Sequence, residues 1–412
     1  MRGRLPPCVH RGTVAPGAPF HVRGVMASGL RIGIVAGEAS GDILGGRLMR
    51  AIRERRPDVR FTGVGGDTML AEGLEALAPL SALSINGIKD PLLRLPSLYR
   101  LLRRLCGHFV GEGMDVVVGV DFNVFNLMLE RRVRERGIPT AHYVSPSVYF
   151  WRRGRVKRIV RAADVVLTLF PFEPVFYQKR GGRAVFVGHP LADDIGLDDG
   201  SDRGRRRNRE ALGIEADRCV IALLPGSRRS EIAFMGQMFL DAARHLHNEL
   251  TNPLFLIPTP TREVVDKVEA LVAAGGSVGG PDVRVVHGHS REVIAAADMV
   301  LTKSGTATLE TMLLRRPMVV AYKLGALTAW LVRRLQKSDY VALPNILAGR
   351  QLVPELLQQD ADPERLAKAL IAQFRRAQSD GEYRRACEHW HGQLRQGGAD
   401  KAAETVLALA GD

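Results

Sequence analysis

Short apolar runs recur along the chain, each followed by a tight polar turn and a stretch with helical periodicity. They fall at 31–36, 61–64, 116–120, 140–144, 165–169 and 184–187, and again at 220–224, 254–257, 283–286, 299–302 and 318–321. A run that is apolar at every position, rather than at alternate ones, suits a strand buried on both faces, as in a parallel sheet covered by helices. The spacing leaves room for crossover helices, so the pattern predicts an α/β fold. At 412 residues and 46% hydrophobic, the chain exceeds one ordinary core and can fill two. The expected arrangement is a doubly wound, Rossmann-like domain over 31–192, a linker over 193–209, a second such domain over 210–362, and helices over 363–412 that pack back on the first domain. The linker assignment rests on Gly200-Ser-Asp-Arg-Gly-Arg-Arg-Arg-Asn208, which is too polar for a core and reads as a solvated hinge.

Two of the turns are candidate phosphate sites. In Lys303-Ser-Gly-Thr-Ala-Thr-Leu-Glu310, Gly305 permits a sharp turn and close approach of a ligand. Ser304, Thr306 and Thr308 crowd hydroxyls and free N–H groups at a helix start, where an anion is favoured. Helix capping by Ser304 or Thr306 would use one hydroxyl and leave the others, and Glu310, unassigned. A second turn of the same kind, Leu224-Pro-Gly-Ser-Arg-Arg-Ser-Glu231, presents Ser227 and Arg228. Two such loops in one half suggest a site for a nucleoside diphosphate. In the first half, the run 31–36 opens into Gly37-Glu-Ala-Ser-Gly-Asp42, where Glu38, Ser40 and Asp42 are candidates for ligand contact. For Ser40 and Asp42 a helix cap with a dipole-matched acid is an equal alternative. The turn lacks the G-x-G-x-x-G pattern, and the second run ends in Gly65-Gly66 rather than a ribose-binding acid, which disfavours a nicotinamide dehydrogenase.

A formal charge of +14 favours an acidic partner: nucleic acid, an anionic membrane surface or a phosphorylated substrate. Nucleic acid is the weaker choice, because the chain shows neither aromatic-interleaved basic strands nor a known binding module. Cys8, Cys106, Cys219 and Cys387 lie far apart, so neither a zinc site nor a disulfide framework is indicated, and a reducing cytoplasm fits. No apolar run reaches the roughly 18 to 20 residues that span a bilayer. No D-x-D pattern stands near the phosphate loops, so no metal and no cofactor are expected. His142 and His189 sit beside strand ends, as candidate bases or as satisfied core histidines. Residues 1–30 carry arginine, proline and glycine but no acid and no apolar h-region, and are expected to form a disordered extension. Met26, just before the first run, makes a start-site extension one reading of that segment.

Spaced motifs then point to one family. They are Ala36-Gly-Glu-Ala-Ser-Gly-Asp42, Val144-Ser-Pro-Ser-Val148 with Trp151-Arg152, Phe170-Pro-Phe-Glu173 and Val187-Gly-His-Pro190. They continue with Leu223-Leu-Pro-Gly-Ser-Arg228, Ser304-Gly-Thr-Ala-Thr-Leu-Glu310, Met318-Val-Val-Ala-Tyr-Lys323 and Leu343-Pro-Asn-Ile-Leu-Ala-Gly-Arg350. In order and spacing the sequence resembles the lipid-A-disaccharide synthases, inverting glycosyltransferases with two Rossmann-like domains in the GT-B arrangement. The resemblance implies transfer of 2,3-diacylglucosamine from its UDP conjugate to 2,3-diacylglucosamine 1-phosphate, giving the β-1,6 disaccharide 1-phosphate and UDP. It further implies a Gram-negative source, a cytoplasmic enzyme peripheral on the inner membrane, and a homodimer as one possible assembly. The family's catalytic aspartate corresponds to Asp121 in Val118-Gly-Val-Asp-Phe-Asn123, although the second acid usual a few residues on is here Val124. By the same resemblance Arg228 contacts the diphosphate, Glu310 the ribose hydroxyls, and Asn345 the sugar nucleotide. Arginine suits phosphate because its guanidinium offers bidentate bonds, and an acceptor-only carboxylate suits a diol. The runner-up is another UDP-sugar-dependent GT-B enzyme. Without the resemblance, capping of the helix starting near Asn123 would be the stronger role for Asp121.

Acylated substrates require a docking surface, and residues 91–105 supply a candidate. Leu92, Leu95, Leu98, Leu102 and Leu105 recur at helical spacing, Tyr99 broadens the apolar surface, and Arg94, Arg100, Arg103 and Arg104 add charge. Leu98, Tyr99 and Leu102 are expected to enter the acyl boundary; an ordinary amphipathic helix packed on its own domain is the alternative.

Overall fold

The computed structural model describes residues 29–83, 95–146, 153–275, 280–323 and 339–411. The extension up to residue 28, residues 91–94 of the docking segment, and Trp151 with Arg152 lie outside the described residues. Leu30, counted with the extension from sequence, is buried, and its carbonyl accepts the Arg60 N–H.

Two parallel sheets organise the chain. The first contains β1 (Arg31–Ala36), β2 (Arg60–Gly65), β3 (Leu74–Pro79), β4 (Val116–Val120), β5 (Thr140–Tyr143), β6 (Val165–Thr168) and β7 (Arg183–Phe186). Its spatial order is β3-β2-β1-β4-β5-β6-β7. The second contains β8 (Val220–Leu224), β9 (Leu254–Thr259), β10 (Asp282–His287), β11 (Met299–Lys303), β12 (Met318–Tyr322) and β13 (Glu355–Leu357), ordered β10-β9-β8-β11-β12-β13. Central strands such as β4 and β8 are buried at every position, which is why they read as unbroken apolar runs. Strand order reverses between β1 and β4, and again between β8 and β11. In such sheets ligands bind at the carboxyl ends of the strands flanking the reversal. Four loops are therefore singled out, each opening a helix: Ala39–Arg55 after β1, Asn123–Arg134 after β4, Arg229–Glu249 after β8 and Thr306–Leu313 after β11.

The supposed linker is partly a helix, Asp202–Ala211, started by Ser201, whose hydroxyl accepts the Gly204 N–H. Its last arginine is not solvated. Arg209 is 3% exposed, donates to the Ala296 carbonyl, and pairs with Asp298 at 2.7 Å, so it anchors the helix to the second domain. Local polarity misled because the compensating acid lies 89 residues away.

The C-terminal helices divide their allegiance. Pro363–Ser379 buries Leu366, Ala367 and Leu370 in the core that holds Ile221 and Leu223 of β8. Glu382–Leu394 bridges the domains: the Tyr383 hydroxyl donates to the Arg316 carbonyl, while His391 Nε2 faces the Ala192 and Ile195 carbonyls. Gly398–Ala410 lies against Ala39–Arg55, with Arg55 donating to Asp400 at 2.8 Å.

Candidate active site

At the first reversal, β4 ends in a loop held in an unusual backbone conformation. Asp121 (φ 49°) and Phe122 (φ 44°) are both left-handed, a state that costs a non-glycine residue free energy and persists only where its surroundings enforce it. Here they do. The Asp121 N–H donates to the Tyr143 carbonyl of β5, and the buried Asn126 amide donates to the carbonyls of Val35, Val120 and Asp121. Phe122 rests on Gly37, where a Cβ would stand 2.2 Å from the ring, so the loop after β1 touches the loop after β4. The half-buried Asp121 carboxylate accepts from Asn123 Nδ2 at 3.4 Å and does not cap the helix Asn123–Arg134. Glu38 and Ser40 are exposed at the start of the helix Ala39–Arg55, whose Gly41 lies against Asp121.

Beneath this loop His142 and Glu130 form a fully buried pair, Nδ1 to Oε1 at 2.8 Å, and His142 Nε2 stands 3.0 Å from Asn123 Oδ1. Burial raises the Glu130 carboxyl pKa, against the pull of the imidazole beside it. His189 is a different case. It is buried against Phe170, its Nδ1 accepts the Leu191 N–H, and burial lowers its pKa to about 4, so it is neutral and structural.

At the second reversal the two phosphate-type loops stand side by side, since β8 and β11 are neighbours. Ser227 and Arg228 are exposed, as are Gly305 and Thr306 across from them. Glu231 accepts the N–H groups of Ser227 and Arg228 with one carboxylate oxygen, and with the other takes a 2.7 Å bond from Lys303. That ion pair ties the loops together and leaves a cationic lysine between them. Ser304 Oγ donates to the Val341 carbonyl. Glu310 is half-buried with Oε1 held by Arg291 at 3.3 Å, and burial raises its pKa despite the arginine.

Four sequence assignments are corrected. Asp42 is buried and accepts the N–H groups of Gly66, Thr68 and Met69, so it caps the next helix instead of meeting a ligand. Thr308 is fully buried and its hydroxyl donates to the Gly305 carbonyl, closing the first turn of its own helix. Asn345 is likewise fully buried and saturated: Nδ2 donates to the Val353 carbonyl and Glu355, and Oδ1 accepts from Leu352 and Val353. Leu102 is 1% exposed, packed with Leu105, Cys106 and Phe109, and the half-buried Leu98 packs against the same cluster, so of the expected docking trio only Tyr99 faces outward. Sequence reasoning passed over Asn123, Glu130 and Lys303. The one available signal was that each stands within or one helix beyond a singled-out loop.

A family model described as lipid-A-disaccharide synthetase matches residues 32–409. The chain belongs to the lipid-A-disaccharide synthase family. The lipid-A-disaccharide synthase of Pseudomonas syringae pv. tomato is 46% identical over 390 residues, covering 94% of this chain and 99% of the relative. That of Methylobacillus flagellatus is 41% identical over 378 residues, covering 92% and 99%. Among solved structures, MurG of Acinetobacter baumannii aligns with a TM-score of 0.55 at 13% identity, over 92% of this chain and 99% of that one. The UDP-GlcNAc 2-epimerase of Neisseria meningitidis, bound to UDP-GlcNAc, aligns with a TM-score of 0.59 at 12% identity, over 92% and 99%. At that identity these two show the fold alone, two Rossmann-like domains of GT-B type. As a lipid-A-disaccharide synthase family member the chain is a glycosyltransferase, and the family's reaction joins the diacylglucosamine of a UDP conjugate to diacylglucosamine 1-phosphate.

Proposed function

We propose that Asp121 is the general base of this transfer and that the paired loops of the second domain hold the UDP of the donor. The observation that carries the reading is topological: Asp121 stands at the reversal of the first sheet, and both phosphate-type loops flank the reversal of the second. Asp121 takes the proton of the acceptor 6-hydroxyl, and that oxygen bonds to the donor's anomeric carbon from the face opposite UDP. The bond from this carbon to the β-phosphate oxygen breaks, and UDP leaves with the electron pair. Arg228, Lys303 and the start of the helix Thr306–Leu313, with Thr306, meet the charge that develops on the leaving group, whereas the Ser304 hydroxyl is already given to the Val341 carbonyl and shapes the turn. Glu310 accepts from the ribose hydroxyls, while Glu38 and Ser40 contact the acceptor. Val124 is 73% exposed where relatives are expected to carry a second acid, so the mechanism uses one carboxylate.

No helix among the described residues is long and apolar enough to cross a membrane. Docking on the anionic cytoplasmic face of the inner membrane is assigned instead to the outer face of the helix Leu95–Gly111. There Leu95 and Tyr99 are about half exposed, beside exposed Arg100, Arg103 and Arg104. Incubation with both acylated substrates should yield the disaccharide 1-phosphate and an equal amount of UDP, read by mass spectrometry. Product formation from unacylated UDP-N-acetylglucosamine instead would overturn the reading in favour of another UDP-sugar enzyme.

A further inference from the structure

We infer that the buried Glu130–His142 pair is a positioning device for Asp121, acting through the side chain of Asn123. The inference rests on the reading of Asp121 as the base. The pair is expensive where it stands: both side chains are fully buried, and a buried ionisable pair is often no better for stability than apolar residues of the same volume. The fold also makes special room for it. Gly119 lies in the middle of β4, and a Cβ there would come within 2.0 Å of Glu130 Oε1.

The hydrogen-bond polarity explains what the pair achieves. Asn123 Oδ1 can only accept, so His142 Nε2, 3.0 Å away, carries a hydrogen and donates it. The remaining proton lies in the 2.8 Å contact between His142 Nδ1 and Glu130 Oε1. Whether it rests on the ring or on the carboxyl, Nε2 stays a donor. The Asn123 amide is thereby held one way round, with Oδ1 toward the imidazole and Nδ2 toward Asp121 Oδ1 at 3.4 Å. Turning the amide over would set its oxygen against the Asp121 carboxylate and its NH2 against the imidazole N–H, two repulsions at once. The Asp121 carboxylate is thus gripped by one oxygen, and Oδ2 is left for the acceptor hydroxyl. The same loop carries the two left-handed residues, clamped from β1, β4 and β5 by Asn126 and the Tyr143 carbonyl. Backbone and side chain of Asp121 are each fixed by a separate amide, the buried Asn126 and the half-buried Asn123.

Asn123 is only half-buried, at the first position of its helix, so Asn123→Ala should fold, with a melting temperature lowered by the partner that buried His142 Nε2 loses. It should lower kcat by about tenfold, the worth of one hydrogen bond to a charged group, with KM for both substrates unchanged. In an Asp121→Asn background the same substitution should cost nothing further, because the group it orients is gone. An unchanged kcat for Asn123→Ala, or a loss that persists undiminished in the Asp121→Asn background, would overturn the positioning role while leaving the base assignment standing. A fully active Asp121→Asn would instead overturn the base assignment, and the positioning role with it.

Discussion

The two crevices solve different problems with the same topology. Around Asp121 the polar groups are buried or half-buried, their hydrogen bonds are directional, and the backbone is forced into a conformation that costs free energy. Around Ser227 and Arg228 the side chains are exposed, the loops are held by an ion pair between Lys303 and Glu231, and the backbone N–H groups are already shared with a carboxylate. A general base needs one oxygen aimed at one proton, so its site benefits from rigidity. A diphosphate presents many equivalent oxygens, so its site needs charge and donors more than a single geometry. On the proposed assignment, orientation on one side and charge on the other divide the labour.

The sharpest break of that comparison is Asp121→Asn. It keeps the shape and removes the basicity, so kcat should fall about 10³-fold while UDP binds as before. Equal losses of turnover and UDP affinity would mean the two crevices are not separable. Next in size, Lys303→Met should leave Glu231 uncompensated beside the phosphates and weaken UDP binding about fivefold, measured by calorimetry, with a smaller change in kcat. A larger loss in kcat than in affinity would move Lys303 from holding the donor to stabilising the leaving group.

The smallest expected effect tests whether the framework of the first crevice is kept neutral. Glu173 is buried, accepts the N–H groups of Leu169 and Phe170, and has its pKa pushed from 4.5 to about 8 by burial. Between those two values the folded chain retains a proton that the unfolded chain has released. Stability is therefore whole below the lower value and falls as pH rises through the window, by up to about 1.4 kcal/mol per pH unit. Glu173→Gln keeps an acceptor for both N–H groups and removes the titration. Its melting temperature relative to the parent should rise by a few degrees between pH 5 and pH 8. A constant difference would show that Glu173 is ionised in the folded chain.

The central strands were legible in the sequence because burial on both faces leaves a continuous apolar run. The edge strands β3 and β13 were not: β3 is mostly open to solvent, and β13 is three residues long. The loops were legible through glycine and hydroxyl residues, but what each side chain does there depended on partners far along the chain. Asp42 meets N–H groups 24 to 27 residues away, and Asn345 is saturated by a loop that local pattern does not reveal. Glu130 and His142 meet because β5 lies beside β4, a register that no periodicity announces.

The path of the chain sets an order of events. Arg55 and Asp400, which bond across the face of the first domain, are 345 residues apart, and Ala402, Ala403, Val406 and Leu407 are buried on the helix Gly398–Ala410. During synthesis at about 5–20 residues per second, the first sheet emerges long before the helix that covers it. Until residue 410 has left the ribosome, the apolar face of the helix Ala39–Arg55 stands open, and the second domain forms while the first is still incomplete. A ribosome stalled before the last helix would carry a second domain attached to a first domain with one face still open.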